Sequence, residues 1–197
     1  MISYDRPTFS PEAPQSIRIR EGNYQMTIAY RWFTPSYVLN LILGGLVLGY
    51  FTYAFIESAA GRPLPSEEDG IFETTLGVLF IGLMGLYLTY AGLAGCLNTT
   101  IIEVDTREIR VRIKPLFWRG EKDIVRAVVK QFFVVSKERR YKGNATYTYE
   151  VQFRTYAGDT HKLIADLPNI EEAKFIRERM ERYIGLESSK FEGALKE

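Results

Sequence analysis

The sequence predicts an α+β membrane protein. A two-helix transmembrane hairpin is inserted in an antiparallel β domain of about seven strands, and a C-terminal amphipathic helix closes that domain. Three observations carry the expectation. Two long stretches, Tyr37–Ile56 and Thr74–Leu97, hold no charged side chain. The segments on either side of them alternate apolar and polar residues with period two. The last regular segment changes to three- and four-residue spacing, which is helical.

The spans come first. A helix rises about 1.5 Å per residue, so about 20 apolar residues match a hydrocarbon core of roughly 30 Å. The predicted transmembrane helices cover residues 36–57 and 74–97. Neither stretch has the polar stripe of a helix on a soluble core. A cleaved signal peptide fits the first stretch poorly, because the residues before it carry prolines and mixed charges rather than a short basic lead. Tyr30, Arg31, Trp32 and Phe33 precede the first span, and Tyr50 and Tyr53 lie near its far end, as suits the headgroup level. Pro35 is tolerated at a helix start because its missing N–H costs nothing there. The connecting loop, 58–73, with Glu57 just before it, has one basic residue, Arg62, against Glu57, Glu67, Glu68, Asp69 and Glu73. The flanks carry Arg6, Arg18, Arg20 and Arg31 on one side and Arg107, Arg110, Arg112 and Lys114 on the other. The positive-inside rule then puts both termini in the cytoplasm and the loop outside.

Small residues are spaced for close helix contact. Gly45 and Gly49 form a GxxxG, and Ala91 and Gly95 repeat the spacing, with Gly82 and Gly85 extending the face. Packing within the hairpin is the expectation; packing on the helices of another protein is the alternative.

The flanking segments read as strands. After a 1–15 extension, residues 16–34 form a hairpin with its turn at Gly22-Asn23. An isolated hairpin is marginal, so it is expected to join the sheet formed by 98–186. There Ile109, Val111 and Ile113 share one face, with Arg110, Arg112 and Lys114 on the other. "IVRAVVKQFFVV" and "TYTYEVQFRTY" are further strands, and Ala157-Gly-Asp turns into "THKLIAD". A helix over 170–184 follows, capped by Asn169 and stopped by Gly185, with Ala173, Ile176, Met180 and Ile184 on its apolar stripe. Residues 187–197 form a polar tail in which Phe191 can dock.

This order, an "IRIREGNYQMTIAYRWF" strand pair, two membrane helices, "REIRVRIK", "YEVQF" and a closing "EEAKFIRERMERYIGL" helix, resembles a pleckstrin-homology-like (PH-like) domain. It is also similar to a group of uncharacterised bacterial proteins with two transmembrane helices and such a cytoplasmic domain. The resemblance spans residues 16–186. It implies a fold and a membrane location, and no enzymatic activity.

Chemistry is scarce in the residues themselves. One cysteine, Cys96, and one histidine, His161, leave no set for a zinc cluster, a paired-histidine haem site or an internal disulfide. No phosphate-cradling glycine motif occurs. His161 reads as an exposed sheet residue, and Glu171 and Glu172 as helix-start charges. The expectation is no catalytic residue, no metal and no cofactor. A net charge of +1 gives no footing for a nucleic-acid partner.

Two segments are candidate contacts with a membrane surface or partner. "KPLFWRG" offers Phe117, Trp118 and Arg119, which either dip into headgroups, together with Trp32 near the first span, or cap the barrel core. "SKERRYKGNATY" offers Lys137, Arg139, Arg140 and Lys142, either to anionic lipid or simply to water. Three functional classes follow. The first is a non-enzymatic accessory or scaffold subunit of a larger membrane complex, photosynthetic, respiratory or transport, whose partners are lipids and other integral subunits. The second is a membrane-tethered module that recognises a peptide or anionic headgroup. An enzyme is the least supported.

Overall fold

Backbone pairing sorts the strands into two antiparallel sheets. The computed structural model describes residues 14–22, 24–60, 71–141 and 144–186. Most of the expected 1–15 extension and 58–73 loop, Asn23 of the first turn, and the 187–197 tail with Phe191 lie outside the described residues. Sheet A runs in chain order through β1 (Ile17–Glu21), β2 (Gln25–Arg31), β3 (Thr99–Asp105), β4 (Glu108–Lys114) and β5 (Lys122–Val125). Sheet B holds β6 (Val129–Tyr141), β7 (Asn144–Thr155) and β8 (Thr160–Leu167). The helices are α1 (Pro35–Ala59), α2 (Ile71–Leu97) and α3 (Ile170–Ile184).

The described residues thus contain eight strands, not about seven. The extra strand comes from "IVRAVVKQFFVV", which the periodicity reads as one. A 3-10 turn at Arg126–Val128 cuts it, leaving β5 in sheet A and starting β6 in sheet B. Two hydrogen bonds hold that turn: the Arg126 N–H donates to the Arg107 carbonyl at 2.9 Å, and the Arg126 guanidinium to the Ile184 carbonyl, also at 2.9 Å.

β2 and β3 lie on either side of the helix pair in sequence yet pair along their whole length, from Gln25 opposite Asp105 to Arg31 opposite Thr99. Sheet A buries alternate residues, as period-two patterning requires: Met26, Ile28 and Tyr30 on β2, Ile102 and Val104 on β3, and Ile109, Val111 and Ile113 on β4. The β3–β4 turn is an Asx turn, with the Asp105 carboxylate accepting from the N–H groups of Arg107 and Glu108 at 2.6 and 2.7 Å. Those backbone donors hold its carboxyl below the usual range.

α3 packs on all three strands of sheet B, burying Ala173, Ile176 and Met180. Asn169 accepts from the Glu171 N–H at 3.0 Å, and Gly185 adopts φ 76°, where a side chain would be strained. The same helix reaches β1: Ser16 donates to the Glu172 carboxylate, and Arg179 pairs with Glu21 at 3.6 Å. Sheets and α3 belong to one unit, while residues 32–98 with 115–117 form another.

In that second unit, α1 and α2 are long and apolar enough to cross a membrane. Only 11% and 22% of their apolar windows are buried, so neither is a buried core helix. They run antiparallel, and bulky residues of α1 sit on glycines of α2. Tyr37 faces Gly95, Leu41 faces Gly92, Val47 and Leu48 face Gly85, and Phe51 faces Gly82. In the middle the pattern inverts, and Gly44 of α1 lies against the Thr89 backbone. A Cβ on Gly44 would come within 2.5 Å of the Thr89 nitrogen, and one on Gly92 within 2.7 Å of the Leu41 nitrogen. A Cβ on Gly45 or Gly49 would meet nothing within 4 Å. Gly82, Gly85 and Gly95 therefore lie against α1 side chains, whereas Gly45 and Gly49 point away from α2. A helix turns about 100° per residue, so Gly44 takes the contact and its neighbour cannot.

Gly44→Ala and Gly92→Ala are each expected to lower the midpoint of helix unfolding in an SDS titration of the detergent-solubilised protein. Gly45→Ala and Gly49→Ala are expected to leave it unchanged.

Candidate functional site

Among the described residues, three places gather polar side chains on otherwise apolar or sheet surfaces. The first is the C-terminal end of α2. Asn98 is fully buried there, and its N–H continues the helix by donating to the Ala94 carbonyl at 2.8 Å. Its own carbonyl accepts from the Trp32 N–H at 3.3 Å, and its side-chain oxygen from the Leu116 N–H at 2.8 Å. One residue thus joins the start of the helix pair, its end and the β4–β5 loop. The Asn98 side-chain nitrogen has no partner among the described residues. In the loop, the Phe117 carbonyl accepts from the Tyr90 hydroxyl at 2.6 Å, while the Phe117 ring is 79% exposed.

The second is an ionic cluster on sheet B. Glu150 of β7 is 2% exposed, although its neighbours Val151 and Phe153 supply the core. Its carboxylate lies 2.9 Å from both the Lys137 and Lys162 amines and accepts from Gln152 at 2.9 Å. Cross-strand diagonal reach brings these chains together, and their stems cover the carboxylate. Burial works to raise the Glu150 carboxyl, but the hydrogen bonds from Lys137, Lys162 and Gln152 outweigh it and hold it below the usual range. Glu181 on α3 is the opposite case. It is 5% exposed, and burial pushes its carboxyl up against the opposing pull of Arg177.

The third is an open cleft of about 410 Å³ between the edges of β5 and β8. Lys122, Ile124, Val125, Val128, Phe153 and Lys162 line it. The Lys122 amine donates to the Lys162 carbonyl at 2.5 Å across this gap. Burial, and then the Lys162 charge, lower the Lys122 pKa. His161, also in the lining, is exposed with its ring 5.5 Å from Phe153, as the sequence leads one to expect of a sheet histidine.

The sequence-derived candidates are dispersed among these places. In "KPLFWRG" the boundary between the two units falls after Phe117, so Phe117 belongs with the helices and the half-buried Trp118 and exposed Arg119 with the sheets. Trp32 is half-buried and donates its N–H to Asn98. Ala91 is half-buried, whereas Gly92 and Gly95 are buried. Lys137 is engaged with Glu150 rather than offered to a headgroup. Arg139 and Arg140 lie in β6, with side chains outside the described set; Lys142 lies outside the described residues. Gly44, Tyr90, Gly92, Asn98, Glu150 and Lys162 are not among the sequence-derived candidates. For Glu150 a signal existed: an acid inside "TYTYEVQF", flanked across the sheet by lysines of two other strands.

The geometry defines a class, an α+β protein with two antiparallel sheets and two helices apolar enough to cross a membrane. No protein-family model matches the chain, and no curated protein matches it either.

Glu150 and Glu181 predict opposite pH behaviour. A depressed folded pKa gives stability that is present above the unfolded value and lost as pH falls through the folded one. A raised pKa gives a penalty above the folded value that is relieved on acidification. Glu150→Gln is therefore expected to cost about 1–3 kcal/mol at pH 7, with the deficit shrinking as pH falls below the carboxylate range. Glu181→Gln is expected to stabilise at pH 7 and to give no advantage in acid. Thermal melts of both variants across pH 3–7, a range set by the ordinary carboxylate pKa of about 4.3, check the signs.

Proposed function

We propose that the protein is a non-enzymatic accessory subunit of a larger bacterial inner-membrane assembly. In this reading α1 and α2 form a transmembrane hairpin inserted in a PH-like β domain. Both termini are cytoplasmic and the 58–73 loop is extracytoplasmic. The observation that carries it is the outward face of α1. The hairpin seals itself with Gly44 and the α2 glycines and leaves Gly45 and Gly49 open. Ile42, Leu46, Tyr53 and Ile56 continue that open face at three- and four-residue spacing, and all four are exposed. A glycine pair at i and i+4 lets a second backbone approach closely, and van der Waals contact drives helix association in lipid.

A second reading rests on the cleft between β5 and β8. Two strand edges flank it and Phe153 lies in its lining, an arrangement that suits an extended peptide adding to a sheet edge. Under that reading the helices are only a tether.

The native mass of the gently extracted full-length protein separates the two. A large particle with fixed companions is expected, and Gly45→Leu with Gly49→Leu should release the protein from it while leaving the hairpin folded. A lone monomer whose companions are absent before any substitution would sink the subunit reading.

A further inference from the structure

The first part of the β4–β5 loop, Pro115–Phe117, is apolar and groups with the helix pair rather than with the strands the loop connects. Tyr90 lies seven residues before the end of α2, about 10 Å along the axis, which is longer than a tyrosine side chain. Its hydroxyl donates to the Phe117 carbonyl at 2.6 Å. Phe117 is therefore held alongside the last two turns of α2, not beyond the helix end. Its ring stays 79% exposed there, next to a helix whose Leu93 and Leu97 are exposed as well.

Part of the loop's backbone is satisfied by the protein itself. Pro115 brings no N–H. The Leu116 N–H is taken by the buried Asn98 side chain, and the Phe117 carbonyl by Tyr90. Irregular backbone at membrane depth persists only where the protein satisfies its polar groups, and a tyrosine hydroxyl removed from water also needs a partner. The Tyr90 bond serves the Phe117 carbonyl and the Tyr90 hydroxyl at once. Lys114 and Arg119, both exposed, bracket the loop in sequence, as cations at a headgroup boundary would.

We propose that Pro115–Phe117 is a lipid-inserted anchor, with the Phe117 ring among the acyl chains beside the C-terminal turns of α2. The inference rests on the reading of α1 and α2 as membrane spans and adds a third membrane contact to it.

The test uses the full-length protein in phospholipid bilayers. Cys96 is the only cysteine, so a Cys96→Ser background accepts a single nitroxide label at Phe117→Cys, at Leu86→Cys on α2 or at Tyr156→Cys in the β7–β8 turn. Collisions with oxygen report lipid, and collisions with a water-soluble nickel chelate report water. The label at 117 is expected to favour oxygen as the one at 86 does, with nickel accessibility several-fold below that at 156. Tyr90→Phe should raise nickel accessibility at 117. A label at 117 that matches 156 while 86 favours oxygen overturns the anchor and leaves the spans standing. Nickel access at 86 as well overturns the spans and the anchor together. Wild-type protein treated with a membrane-partitioned carbene reagent gives an independent readout. Labelling of the Phe117 peptide along with both helices is expected, and labelling of the helices alone overturns the anchor.

Discussion

The pairing of β2 with β3 is the constraint on which the architecture depends. Seven residue pairs join segments that the sequence separates by two long helices. With Arg31 opposite Thr99, the chain must return to the place it left. A segment that crosses a bilayer under this condition can cross only an even number of times. The antiparallel course of α1 and α2 meets the same condition, and the Trp32 N–H bond to the Asn98 carbonyl closes the helix pair at its base. Neither β1 nor β2 could persist as an isolated hairpin; β3 supplies the missing neighbour and closes the alternating apolar face over Met26 and Ile28.

Inside the helix pair, contact is decided by phase rather than by composition. The sequence shows which residues are small but not which of two adjacent glycines faces the partner. Gly44 and Gly45 differ by one step of rotation, and only Gly44 meets the Thr89 backbone. Boundaries are easier to read than faces. The expected spans at 36–57 and 74–97 compare with Pro35–Ala59 and Ile71–Leu97, because a charged flank limits an apolar run from either side. The closing helix is legible to the residue, since Asn169 and Gly185 are local signals that act through backbone geometry. The break at Arg126–Val128 is not legible, because it depends on the distant Arg107 and Ile184 carbonyls.

The buried acids are equally hidden. A glutamate in an alternating strand reads as a solvent-facing residue, and Glu150 does point away from the Val151 and Phe153 side of its strand. What encloses it is the length of two lysine stems on neighbouring strands. Glu172 and Glu181 sit on a helix whose apolar stripe lies where the spacing puts it, yet both are buried. Ser16 is 156 residues from Glu172 in the chain, so their hydrogen bond has no local sequence signature.

These pairings also bear on what the β5–β8 cleft can accept. Its two lysines suggest an anion site, but Lys162 already pairs with Glu150 and Lys122 already caps the Lys162 carbonyl. An anionic headgroup would have to compete with a buried carboxylate for the Lys162 amine, leaving that carboxylate with Lys137 and Gln152 alone. An extended peptide makes a smaller demand. It would displace the Lys122 amine from one carbonyl, replace that bond with a backbone N–H, and lay an apolar side chain against Val125, Val128 and Phe153. Within the recognition reading, the physics of the cleft therefore favours a peptide over a headgroup.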